Sequence, residues 1–173
     1  MISGGAGFGT RAKGAAVSEI VGLFENDRQA NVESLVSMIE DVLVELGHFL
    51  NECRVEEDSS LKAWSVVKGS ASIRINLIDK SDFVHLRLES PVIYTDESVD
   101  KTALYAKLLT LNAEALSGAA FGIQGNAVVL ITQRSTLDLD RSEVLEMVTL
   151  IQNYADQYDD KLAAEFGGSL DGG

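Results

Sequence analysis

The chain has 173 residues, 46% of them hydrophobic, enough to bury one substantial core without disulfides. Its 27 acidic and 14 basic side chains leave a formal charge of −13, which repels polyphosphate and argues against a nucleic-acid partner. Charges interrupt every apolar run well short of the roughly 20 residues that cross a bilayer, and the lone Cys53 excludes an internal disulfide, so a cytoplasmic protein without a membrane partner is expected.

Residues 1–16, rich in Gly and Ala, carry little side-chain area to offset the cost of ordering and are expected to form a flexible leader. One domain is expected over 17–168, followed by a disordered tail at 169–173. From Asn31, a suitable N-cap, Val32, Leu35, Val36, Ile39, Val42, Leu43 and Leu46 recur at helical spacing, and Gly47 suits the C′ position.

After the polar stretch Glu56 to Ser60 the period becomes two. A strand over 61–68 surrounds Trp64 and Val66. In the next, Ile73, Ile75 and Leu77 alternate with Ser72, Arg74 and Asn76, and in the third, Val84, Leu86 and Leu88 alternate with Phe83, His85 and Arg87. Read as a four-residue loop, Asp79-Lys80-Ser81-Asp82 places Ile75 opposite Leu86, Asn76 opposite His85 and Arg74 opposite Arg87. Pro91 is expected to end or edge the third strand.

A second helix follows Asp100, with Leu104, Leu108, Leu111 and Ala115 as its stripe and Ser117-Gly118 as its stop. The turn Gly125-Asn126 then joins strands 119–124 and 127–133, pairing Phe121 with Leu130 and Ile123 with Val128. The last helix opens with a capping box of Asp140 and Glu143 and runs from Arg141 to Phe166, with Val144, Val148, Ile151, Ala155, Tyr158, Leu162 and Phe166 on its stripe. Residues 138–173 hold nine acids against two bases, read as a solvated helix face or, less plainly, a surface for a basic partner. The order helix, three strands, helix, two strands, helix reads as α+β.

No catalytic or metal signature stands up. Gly4 to Thr10 lacks both a preceding strand and the Gly-Lys-Ser/Thr of a phosphate loop. Asp138, Asp140, Ser142 and Glu143 lack the glycine and distant glutamate of a calcium loop, and Asp156 with Asp160 makes too few ligands. His48 and His85 have no partner at ligand spacing, and Cys53 reads as an ordinary thiol. No cofactor is expected.

The run Val128 to Ile131, the segment Leu137-Asp138-Leu139-Asp140 and the close Tyr154 to Gly168 resemble the YbjN-like family, related in fold to type III secretion chaperones. The resemblance implies an antiparallel five-stranded sheet flanked by three helices in a single domain. It also implies a homodimer and a non-enzymatic role holding a protein or peptide segment. The alternative is a small-molecule sensor or minor enzyme with a pocket between sheet and helices. The expected register gathers Arg74, Asn76, His85 and Arg87 into a small basic patch on an acidic chain, the candidate anchor for an acidic partner.

Overall fold

Helix α1 (Thr10–Glu45) leads the chain, followed by α2 (Leu50–Cys53), β1 (Arg54–Val55), β2 (Lys62–Lys68), β3 (Ala71–Lys80) and β4 (Phe83–Tyr94). Then come α3 (Lys101–Glu114), β5 (Ala120–Gln124), β6 (Ala127–Ser135) and α4 (Arg141–Phe166). The computed structural model describes residues 10–55, 60–69, 71–80 and 83–170, with side chains from residue 28 onward. It divides into two units, Met1–Ser37 and Met38–Gly173, and the whole sheet lies in the second.

Helix α1 begins at Thr10, far ahead of the expected cap at Asn31. The intervening segment has no proline, and Val17, Ile20, Val21 and Phe24 recur at spacings of three and four, so the helical pattern extends ahead of Asn31 despite Gly14 and Gly22. Residues 10–16 of the expected leader are therefore helical, and residues 1–9 lie outside the described residues. At the other end Gly47 takes the expected left-handed conformation, φ +88°.

The sheet is antiparallel in the order β1-β2-β3-β4-β6-β5. It has six strands rather than five, because Arg54 and Val55 pair with Trp64 and Ala63. Two residues carry no periodic pattern, so only their pairing reveals the strand. The short α2 raises the helix count to four among the described residues.

The register of β3 on β4 corrects the expected one by two residues. Lys80 pairs with Phe83, Leu77 with Leu86, Ile75 with Leu88, Asn76 with Arg87 and Arg74 with Glu89. The strands run further toward the turn than the polarity of Asp79 and Lys80 suggests, and residues 81–82 between them lie outside the described residues. A slip of two keeps every side chain on its face, so the apolar rows survive while the partners change.

Strand β4 also continues past Pro91 to Tyr94. Its pairs with β3 end at Arg74↔Glu89, so the proline falls where that partner is lost, and the ladder to β6 shifts register between Pro91 and Ile93. The missing N–H is tolerated at such a bulged, one-sided stretch. The hairpin β5–β6 has the expected pairs, Phe121↔Leu130 and Ile123↔Val128.

One face of the sheet is buried under α4. Trp64, Ile73, Ile75, Leu77, Leu86, Leu88 and Leu130 are nearly solvent-free, as are Val144, Val148, Ile151, Ala155 and Leu162 of the helix. Tyr158 meets Phe121 edge to face at 5.4 Å. The expected capping box is present: Glu143 N donates to Asp140 Oδ1 at 2.9 Å, and Asp140 N donates to Glu143 Oε2 at 3.0 Å.

After α4, Gly167 and Gly168 both take positive φ, and Ser169 exchanges two hydrogen bonds with Tyr94, at 2.7 and 2.9 Å. A Cβ on Gly168 would meet the Tyr94 carbonyl oxygen at 2.6 Å, so glycine is required there. Ser169, the first residue of the expected tail, is thus tied to the sheet, and residues 171–173 lie outside the described residues.

Candidate functional site

Arg74 and Asn76 on β3 and His85 and Arg87 on β4 lie, as expected, on one face, the face turned away from α4. Their partners differ from the expected ones. Arg87 Nε donates to Glu89 Oε2 at 3.0 Å, Gln124 Nε2 donates to the same oxygen at 3.0 Å, and Arg87 and Lys80 both donate to Gln133 Oε1. With Glu89 opposite Arg74, like charges no longer face each other, and the basic patch becomes a mixed polar ladder. Among the described residues Asn76 Oδ1 and His85 Nδ1 are buried without a hydrogen-bond partner, and Asn76 is only 5% exposed.

A trough of about 370 Å³ crosses this face, lined among others by Ser72, Arg74, Glu89, Tyr94, Gln124 and Asn126. It lies where β3 and β4 part company beyond Glu89.

A second location was not legible from the polar residues. Strand β2 sits near the sheet's end, and β1 pairs only with its Ala63 and Trp64. Among the described residues, Ser65 to Lys68 therefore have no strand on that side. A cavity of about 240 Å³ adjoins this free edge, lined by Gly47, His48, Phe49, Cys53, Ser65 and Val67 among others. Phe49 is 70% exposed and Val67 64%. A strand edge with unpaired main-chain groups, flanked by exposed apolar side chains, is a template for another extended chain. The sequence holds one signal of it: adjacent Val66 and Val67 break the alternation, so one valine must point away from the core.

The edge rests on a polar clasp. Glu40 of α1 accepts from Arg54 Nε at 2.8 Å and Arg54 Nη2 at 2.7 Å, and from Trp64 Nε1 at 3.2 Å. The hydrogen bond from Arg54 is the main reason that the Glu40 carboxyl titrates below its ordinary range. A depressed folded-state value stabilises the fold above the ordinary range, and that contribution is lost as pH falls through the depressed value. Denaturant titrations across the acid range are expected to show a shallower loss of stability for Glu40→Gln than for the parent. Identical slopes would remove this role from Glu40.

Burial pushes the Cys53 thiol up, which leaves little thiolate for nucleophilic chemistry. Among the described residues no three His, Cys, Asp or Glu side chains converge to hold a metal ion, and no helix is long and apolar enough to cross a membrane.

In solved structures the fold is similar to a chain of the ExsC-ExsE complex, with a TM-score of 0.59 and 13% identity over 75% of this chain and 94% of that one. It is also similar to a chain of the HopA1-SchA chaperone-effector complex, with a TM-score of 0.53 and 11% identity over 73% and 93%. No curated protein matches the sequence. Residues 33–171 match the model of the T3SS (YopN, CesT) and YbjN peptide-binding chaperones 1, and the chain belongs to that family.

Proposed function

We propose that this protein is a non-enzymatic, cytoplasmic module that holds an extended peptide segment of a partner protein along the free edge of β2. The observation that carries the reading is the unpaired stretch Ser65 to Lys68, with a cavity and the exposed side chains of Phe49 and Val67 beside it. Main-chain bonds to an edge supply affinity without demanding a particular sequence, and the apolar flank selects alternating apolar side chains. The family's description as peptide-binding chaperones supports the reading, as does the fold shared with a chaperone-effector complex.

The protein acts as a homodimer in this proposal. Leu104 and Leu108 of the α3 stripe are spent inside the chain, which leaves the exposed Leu109 as the apolar contact that α3 offers a second copy. A monomer in sedimentation at micromolar concentration would remove the dimer.

A second reading places an acidic segment or small anion on the polar face of Arg74, Asn76, His85 and Arg87, favoured by the trough beside Arg74. One experiment separates the two. An acetylated, amidated hexapeptide alternating threonine and valine, carrying a nitroxide, is titrated into isotopically labelled protein. Broadening of the Ser65 to Lys68 amides is the expected result. Broadening at Arg74 and Arg87 by a second capped peptide, alternating threonine and aspartate, would support the second reading, and none at β2 with the first peptide would overturn the first.

A further inference from the structure

The sheet has more than one place where a strand could add, and at β5 and at the end of β4 the chain occupies part of the edge with its own groups. At the β5 end, Phe121 N donates to Asn112 Oδ1 at 2.7 Å, and Asn112 Nδ2 donates to Phe121 O at 3.2 Å. A side-chain carboxamide offers one acceptor and one donor in the manner of a peptide group, so Asn112 occupies the position that a neighbouring strand would take. Phe121 pairs with Leu130 on its inner side, and both of its main-chain polar groups are satisfied by α3. On β4, beyond the last pair with β3, the main chain of Tyr94 is closed in the same way by Ser169. Past Trp64 the edge of β2 is flanked by α2, but among the described residues no hydrogen bond of this kind closes the main chain of Ser65 to Lys68.

We infer that Asn112 is an edge guard: it excludes strand addition at β5 and so directs an incoming peptide to β2. The inference rests on the strand-addition reading above for its biological meaning, and its own test is separable. An incoming strand at β5 must break both Asn112 bonds before it forms its own, a handicap of roughly tenfold or more in occupancy. An asparagine whose only task is to fasten α3 to the sheet would lower thermal stability when removed without changing where a peptide binds.

The test compares the full chain with Asn112→Ala, using the nitroxide hexapeptide and amide spectra. In the variant, amides from Ala120 to Gln124 are expected to broaden, at least tenfold more at equal peptide than in the parent, and Phe121 is expected to exchange its amide hydrogen faster. Broadening at β5 that appears only in the variant supports the guard whether or not β2 broadens. A folded variant without it, or a parent that already broadens there, overturns the guard. Broadening at β2 in the parent decides the strand-addition reading by itself. Should Asn112→Ala fail to fold, Asn112→Asp keeps an acceptor for Phe121 N and loses the donor to Phe121 O. The same region must then broaden to a lesser extent, and its silence counts against the guard.

Discussion

Replacing Trp64 with alanine is expected to lower the unfolding free energy by about 3–5 kcal/mol, the range for deleting a buried aromatic side chain. Trp64 is 1% exposed and stands between Ile75 of β3 and Arg54 of β1, so it fills the core under the strand that carries the free edge. A loss of that size is a large share of the roughly 5–15 kcal/mol that a domain has in total. Trp64→Phe separates the contributions: it keeps most of the volume but removes the bond to Glu40, for which a cost of about 0.5–1.5 kcal/mol is expected. Trp64 is the only tryptophan, so circular dichroism rather than intrinsic fluorescence must follow both variants. A loss under about 1 kcal/mol for the alanine variant would mean that the site repacks, and that Trp64 does not hold the edge in place.

The second large effect concerns binding. Phe49→Asp and Val67→Asp together are expected to weaken the hexapeptide by at least about a hundredfold, because full burial of each side chain is worth about 1.5–3 kcal/mol and each 1.4 kcal/mol is tenfold. Both side chains are mostly exposed in the free protein, so the melting temperature is expected to change little. Fluorescence anisotropy of a dye-labelled peptide measures the first quantity and calorimetry the second. Unchanged affinity would show that the apolar flank plays no part, whatever the fate of the main-chain edge.

The parts of this fold that were legible in the sequence are those written locally. Asp140 and Glu143 announce the start of α4, Asp100 that of α3, and Gly125-Asn126 the last hairpin, because a cap or a tight turn is satisfied within a few residues. The early start of α1 escaped although Val17, Ile20, Val21 and Phe24 already recur at helical spacing, because Gly14 and Gly22 in the same segment read as breaks. Strand β1 and the guard role of Asn112 escaped for a different reason. Both are defined by a partner beyond the next turn, eight to ten residues on, and an asparagine within α3 only hints at a tertiary bond by being a modest helix former there. Among the candidate residues, shared face membership was readable from the alternation, while the identity of each neighbour was not: Glu89 stands opposite Arg74 where Arg87 was expected.

That two-residue displacement has an evolutionary corollary rooted in parity. If the pairing of β3 with β4 slips, a slip of two leaves Ile75 and Leu86 under α4, whereas a slip of one would drive Arg74 or Arg87 into the oily interior. The connector at Ser81-Asp82 obeys no such rule, since loops of two to five residues all close antiparallel strands. Related chains should therefore vary in the length of this connector by odd and even numbers alike, while keeping the alternation of β3 and β4 intact.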